Sequence, residues 1–164
     1  MFSSLNFLFR RSVKHYDKII FLDFDGVLAI NNPRLCDVPK HDRYGTVFNL
    51  HCVDYLCQII NDTSAKIVVT SSWTNYLSLR KINQMWRDRN LPGTVIDTIR
   101  NDSIDRSIKI DNWLKKYKVT KYVIIDDMDF NQFDKHHHQH LVTTSSLTGL
   151  SEIDIVRVCM TLKK

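Results

Sequence analysis

Ile19-Ile20-Phe21-Leu22-Asp23-Phe24-Asp25-Gly26-Val27 is the stretch on which the fold turns. Four apolar residues without a polar break suit a strand buried on both faces, as in a parallel sheet. Such a strand should not end in carboxylates unless something offsets their charge. Alternation along extended chain sends Asp23 and Asp25 to one side and Phe24 to the other. Two acids at a strand tip suit a hard cation such as magnesium, which takes carboxylate and carbonyl oxygens. Gly26 permits a sharp turn just beyond them. Asp25-Gly26 between two apolar runs also fits a two-residue hairpin, so the rest of the chain must decide.

Further units of the same kind follow. Ala65-Lys66-Ile67-Val68-Val69 reads as a second short strand, ending at Thr70-Ser71-Ser72-Trp73. Tyr122-Val123-Ile124-Ile125 reads as a third, ending at Asp126-Asp127, and Leu141-Val142-Thr143 as a fourth. Between them lie helical stripes: Val53, Leu56, Cys57, Ile60; Leu79, Ile82, Trp86; Ile110, Trp113, Leu114, Tyr117. Asn90-Leu91-Pro92-Gly93 stops the second of these helices. Ser151 with Asp154 opens a last helix, for which Ile153, Val156 and Met160 mark the expected inner face. Strands alternating with helices predict an α/β domain: a Rossmann-like parallel sheet with helices on both faces. Residues 31–52 are the least periodic and read as a loop or small insertion.

At 164 residues one domain is expected, here over 18–164, preceded by a basic arm over 1–17. That arm carries Arg10, Arg11 and Lys14 and, up to His15, no acid. It suits a targeting or membrane-surface segment, and more simply a basic arm packed on the domain. No apolar stretch is long enough to span a bilayer. Cys36, Cys52, Cys57 and Cys159 show no paired metal spacing, so free thiols in a reducing, cytoplasmic setting are expected. Net charge is +5, concentrated in residues 106–121 and 80–89. A basic patch favours polyanions such as nucleic acid, although a lysine-rich helix is as readily a solvated face. His136-His137-His138-Gln139-His140 is expected to be a solvated loop, since histidines in a loop lack the fixed geometry of a dedicated metal site.

In a parallel sheet all carboxyl ends share one edge, and ligands bind there. The predicted strands deliver Asp23 and Asp25, then Thr70 and Ser71, then Asp126 and Asp127 to that edge. Acids gathered so closely repel unless a divalent cation joins them. Taken alone, Thr70-Ser71-Ser72 suits a turn, Asp126-Asp127 a cap, and Arg106 or Lys109 a helix surface. The ordered set of strands with polar tips resembles the haloacid dehalogenase (HAD) superfamily of phosphohydrolases, from about Lys18 to Leu162. The first family motif corresponds to Asp23-Phe24-Asp25-Gly26-Val27, the second to Thr70 or Ser71, the third to Arg106 or Lys109, and the fourth to Asp126-Asp127.

Ile67–Trp73, Arg106 with Ile110–Leu114, Ile124–Asp127, Leu141–Thr143 and Thr148-Gly149-Leu150 look like the small capless HAD domains associated with RNA-repair proteins. Thr74 departs from that group, which would carry Arg after Ser-Ser-Trp. The resemblance implies a nucleophile, Asp23, that forms an aspartyl-phosphate, and an acid–base group, Asp25. It implies Mg2+ between Asp23, the Asp25 carbonyl and one or both of Asp126 and Asp127. Thr70, Ser71 and Arg106 or Lys109 would hold the phosphoryl group. The expectation is a Mg2+-dependent phosphomonoesterase, with little or no cap and room for a nucleotide or polynucleotide end. The competing readings are a non-catalytic HAD-fold binding or regulatory module, and a phosphotransferase.

Overall fold

The computed structural model describes residues 13–30, 40–100 and 105–163. In chain order it contains β1 (His15–Leu22), β2 (His41–Asp42), β3 (Gly45–Thr46), α1 (Leu50–Thr63), β4 (Lys66–Val69), α2 (Leu79–Asp88), β5 (Val95–Thr98), α3 (Arg106–Lys116), β6 (Lys118–Asp126), β7 (Leu141–Thr143) and α4 (Glu152–Lys163). Five strands form one sheet in the order β5-β4-β1-β6-β7. All of its pairings are parallel, so the hairpin alternative for Asp25-Gly26 does not occur. The α/β, Rossmann-like reading is the fold observed.

Register sets the site. Leu22 lies level with Val69 on one side and Ile125 on the other. The next residues, Asp23, Thr70 and Asp126, therefore leave adjacent strands at one height. The amino halves of β1 and β6 are partly exposed and their carboxyl halves fully buried. The acids thus sit on the driest part of the sheet.

Period-two alternation divides the core. Ile20 and Leu22 face a layer containing Leu56, Ile82, Met85, Trp86, Val158 and Leu162 from α1, α2 and α4. Ile19 and Phe21 face the other side, with Ile110 and Trp113 of α3. Burying one such aliphatic side chain fully stabilises the fold by about 1.5–3 kcal/mol.

Strand β5 is absent from the sequence reading, and three further stretches differ from it. In α1 the inner face is Cys52, Leu56, Ile59 and Thr63, one residue off the expected stripe. The Cys52 thiol donates to the Thr148 and Leu150 carbonyls, and the Thr63 hydroxyl donates to Ile59 O, so small polar residues turn inward. In α4 the expected face is outside: Ile153 is 60%, Val156 55% and Met160 55% exposed. The buried stripe is Ile155, Val158, Cys159 and Leu162, which satisfies helical spacing equally well. Its rotation is fixed by Asp154, whose buried carboxylate accepts from the Ser151 N–H and hydroxyl. The histidine run is a 3-10 helix, Lys135–His140, with His137 fully buried, not a solvated loop.

The aperiodic stretch after β1 holds the β2–β3 hairpin, and α1 begins within it at Leu50. Its residues 31–39, and residues 1–12 of the expected basic arm, lie outside the described residues. Strand β1 itself starts at His15, so the sheet reaches into the arm's last residues. Among the described residues no helix is long and apolar enough to cross a membrane.

Candidate active site

Asp23 follows β1 and is 5% exposed. Its Oδ1 accepts from the Phe24 N–H at 2.7 Å and its Oδ2 from Arg106 Nη1 at 2.9 Å. Beyond it the chain turns tightly: the Val27, Leu28 and Ala29 N–H groups all donate to Phe24 O. Gly26 holds φ +72°, and the Thr144 hydroxyl donates to its carbonyl at 2.8 Å. A Cβ on Gly26 would stand 2.2 Å from Asp127 Oδ2. Glycine is thus what lets the acids of β1 and β6 approach.

Asp25 is exposed but not loose. Trp73 Nε1 donates to both its oxygens at 3.1 Å, and the Ser72 hydroxyl donates at 3.1 Å. Trp73 is buried among Phe24 and Phe48. The β2–β3 hairpin backs it, since a Cβ on Gly45 would lie 3.2 Å from the indole. Arg89 closes that hairpin through a bidentate pair with Asp42 at 2.8 and 2.9 Å.

Thr70 and Ser71 follow directly on β4 and are both buried. Ser71 caps the 3-10 turn Ser72–Asn75, accepting from the Trp73 N–H. Thr70 Oγ1 is buried without a hydrogen-bond partner. Thr74 Oγ1 bonds the Ser71 and Ile99 carbonyls.

Arg106 opens α3 and reaches over the sheet edge. Its Nη1 donates to Asp23 Oδ2 and to Asp126 Oδ2, while Nε is buried and unpartnered. Burial opposes its charge, but the Asp126 and Asp23 carboxylates more than offset this and raise its pKa. Lys109, one turn further on, points elsewhere: its Nζ donates to Arg100 O at 2.7 Å. The structure therefore brings Arg106 to the acids and sends Lys109 to the loop after β5.

Asp126 is fully buried and bonded through Oδ1 to the Met128 N–H at 3.0 Å. Burial first, then repulsion from Asp23, push its pKa up to about 6. The same two causes raise Asp127, which is half-buried. Ligand oxygens of Asp23, Asp126 and Asp127 lie within 4.8 Å of one another, close enough to share one cation. Asp25, Gly26, Ile30, His41, Thr46 and Ser146 line a cleft beside them. A larger concavity lies at the amino end of β6, among Lys118, Thr120, Lys121 and His140, at the opposite edge of the sheet.

A profile of the HAD domain in Swiss Army Knife RNA repair proteins matches residues 19–155. The chain belongs to that family. No curated protein and no solved structure matches it. The matched span of this HAD domain starts inside β1 and ends inside α4, so it takes in the buried half of β1, the other four strands of the sheet and every residue of the acidic cluster.

Sequence reasoning missed the indole and hydroxyl that hold Asp25. Their signal was present: Ser72-Trp73 directly follows a strand tip, and a tryptophan there has an N–H that needs an acceptor. It also missed Thr144, after β7, whose hydroxyl pins the Gly26 turn.

Proposed function

We propose that this HAD domain is a Mg2+-dependent phosphomonoesterase acting through an aspartyl-phosphate on a phosphorylated nucleic-acid end. One observation carries the reading: three carboxylates at the strand ends, Asp23, Asp126 and Asp127, converge within 4.8 Å, and one largely buried arginine, Arg106, bridges Asp23 and Asp126.

The donor set fits a hard divalent cation, being all carboxylate oxygen around a backbone turn that only glycine permits. Asp23, Asp126 and Asp127 would hold it, with the Asp25 carbonyl completing the set. Bound magnesium would offset the cluster's charge and polarise the phosphoryl oxygens.

The chain's own residues then divide the work. An Asp23 oxygen attacks phosphorus as the ester P–O bond breaks, splitting one hard hydrolysis into two displacements. Asp25 gives its proton to the leaving oxygen. It then takes a proton from the water that attacks phosphorus and releases Asp23. Arg106 and Thr70 each carry a buried donor without a protein partner. Such pre-aimed donors hold the transferring phosphoryl group without reorganisation.

The substrate class rests on three supports. The family description is RNA repair. Net charge is +5. Among the described residues the only element between β1 and α1 is the two-residue-stranded hairpin, too small to enclose a small substrate. Free Cys52, Cys57 and Cys159 fit a reducing compartment such as the cytoplasm.

Phosphate release from 3′- and 5′-phosphorylated oligonucleotides and from an aryl phosphate, with Mg2+ or chelator, tests the reading. Turnover is expected only with metal, highest on one oligonucleotide end and lost in Asp23→Asn. Turnover that persists in chelator and in Asp23→Asn refutes the enzyme. Equal turnover of all substrates, with no salt-sensitive RNA binding, refutes the substrate class.

A further inference from the structure

The histidine run has a second destination. Two of its members are held by backbone: His138 Nε2 lies 3.0 Å from Phe133 O and His140 Nδ1 3.1 Å from Tyr122 O. The other two converge on α3. His136 Nε2 lies 3.0 Å and His137 Nε2 3.4 Å from the same Asp111 oxygen. Ligand atoms of all three side chains fall within 4.8 Å of one another.

An ordinary histidine–carboxylate pair with Asp111 accounts for His136, whereas the longer His137 contact leaves a buried nitrogen poorly matched. His137 is fully buried, yet its Nε2 makes no well-formed hydrogen bond: Asp111 Oδ1 stands off at 3.4 Å, and the Ser107 backbone approaches the ring. Its Nδ1 is already engaged by the Tyr122 hydroxyl at 3.0 Å, which fixes the ring and aims Nε2 at Asp111. A buried polar atom so poorly matched to its neighbours asks for an explanation.

We propose that Asp111, His136 and His137 form a transition-metal site, with Zn2+ as its ion. Two imidazoles and one carboxylate select a borderline cation over Mg2+, which prefers oxygen alone. Zinc bonds of about 2.0–2.1 Å at tetrahedral angles place ligand atoms about 3.3 Å apart. The two spacings to Asp111 bracket that value. The His136 side chain is 53% exposed, leaving a fourth position for water. Tyr122 is the outer partner that orients a ligating histidine. Such an ion would tie the 3-10 helix to α3, the helix that presents Arg106. The two are already joined by the Asp134 N–H donating to the Ser107 hydroxyl at 3.0 Å. The site is separate from the acidic cluster and stands whether or not the phosphatase reading does.

The test is Zn2+ competition against a chromophoric chelator on the full chain, with Mg2+ in excess to fill the acidic cluster. Co2+ absorption serves as a second readout of imidazole ligation. One Zn2+ per chain is expected that Mg2+ does not displace. His136→Ala and Asp111→Asn should each weaken it by more than about a hundredfold, and Tyr122→Phe by about 10–100-fold. Asp23→Asn should leave it unchanged, and unfolding of His136→Ala in chelator should match the wild type. Absence of Mg2+-resistant Zn2+, binding that survives both His136→Ala and Asp111→Asn, or binding lost in Asp23→Asn overturns the proposal.

Discussion

Trp73 Nε1 donates to both carboxylate oxygens of Asp25, each at 3.1 Å. The indole is 4% exposed, so an exposed acid is aimed by a ring that cannot turn. Trp73→Phe keeps an aromatic filler and deletes the donor. A hydrogen bond to a charged group is worth about 1.5–3 kcal/mol. Losing one that orients an acid–base group should lower kcat roughly tenfold or more while KM moves little. Asp25→Asn removes the proton carrier itself and should cost on the order of 10²–10⁴-fold. Steady-state kinetics on the preferred oligonucleotide phosphate measure both. A Trp73→Phe enzyme with raised KM and unchanged kcat would mean that the indole binds substrate instead.

Gly26 faces Asp127 so closely that no side chain fits. At φ +72° an alanine already costs roughly 1–2 kcal/mol. Its Cβ would also press on Asp127 Oδ2. Gly26→Ala is expected to unfold at lower temperature and, where folded, to bind Mg2+ more weakly because Asp127 must move. Thermal unfolding with and without MgCl2 checks this. A variant as stable and as metal-responsive as the wild type would mean that the two acids need not approach.

Most of this architecture was readable in the chain because buried parallel strands are apolar without interruption, as in Ile19–Leu22 and Tyr122–Ile125. Register then brought their tips together. What was hidden had a physical reason in each case. Strand β5 is four residues at a sheet edge, with Asp97 in the middle accepting from Trp113 Nε1. No alternation of so short a piece separates it from a loop. Helix α4 carries two apolar stripes, and tertiary packing, with Asp154 turned inward onto Ser151, sets which is inner. Whether Arg106 or Lys109 reaches the acids depends on where α3 begins relative to the sheet edge, and spacing alone leaves both open. The burial of His137 comes from α3 and β6 packing over it, a tertiary fact with no local signature.

Thr70 offers a way to separate stability from chemistry. Its hydroxyl is buried and unpartnered in the free protein. Replacing a polar group that bonds nothing with an apolar one of the same shape is close to neutral or stabilising. Thr70→Val should therefore keep or raise the unfolding temperature. If the hydroxyl awaits a phosphoryl oxygen, kcat/KM should fall by about 10-fold or more. Chemical denaturation and initial rates on one preparation give both numbers. A variant that loses stability without losing activity would make Thr70 a structural residue.

Asp126 couples metal to pH. Burial and the neighbouring Asp23 push its pKa up to about 6, above the ordinary carboxylate value of about 4. Between those values the folded, metal-free chain keeps a proton there that the unfolded chain has released. Folding therefore loses stability as pH rises through that window, and the loss is complete above about pH 6. A cation needs the carboxylate ionised, so its affinity should fall by up to about tenfold for each pH unit below about 6. The rise in Tm produced by MgCl2 is then expected to be large near pH 7.5 and small near pH 5, on the order of one Asp126 titration. Asp126→Asn removes the titrating group and should flatten both the chelator-state stability profile and the magnesium shift. An Mg2+ shift of equal size at both pH values in the wild type would place the cation on acids other than Asp126.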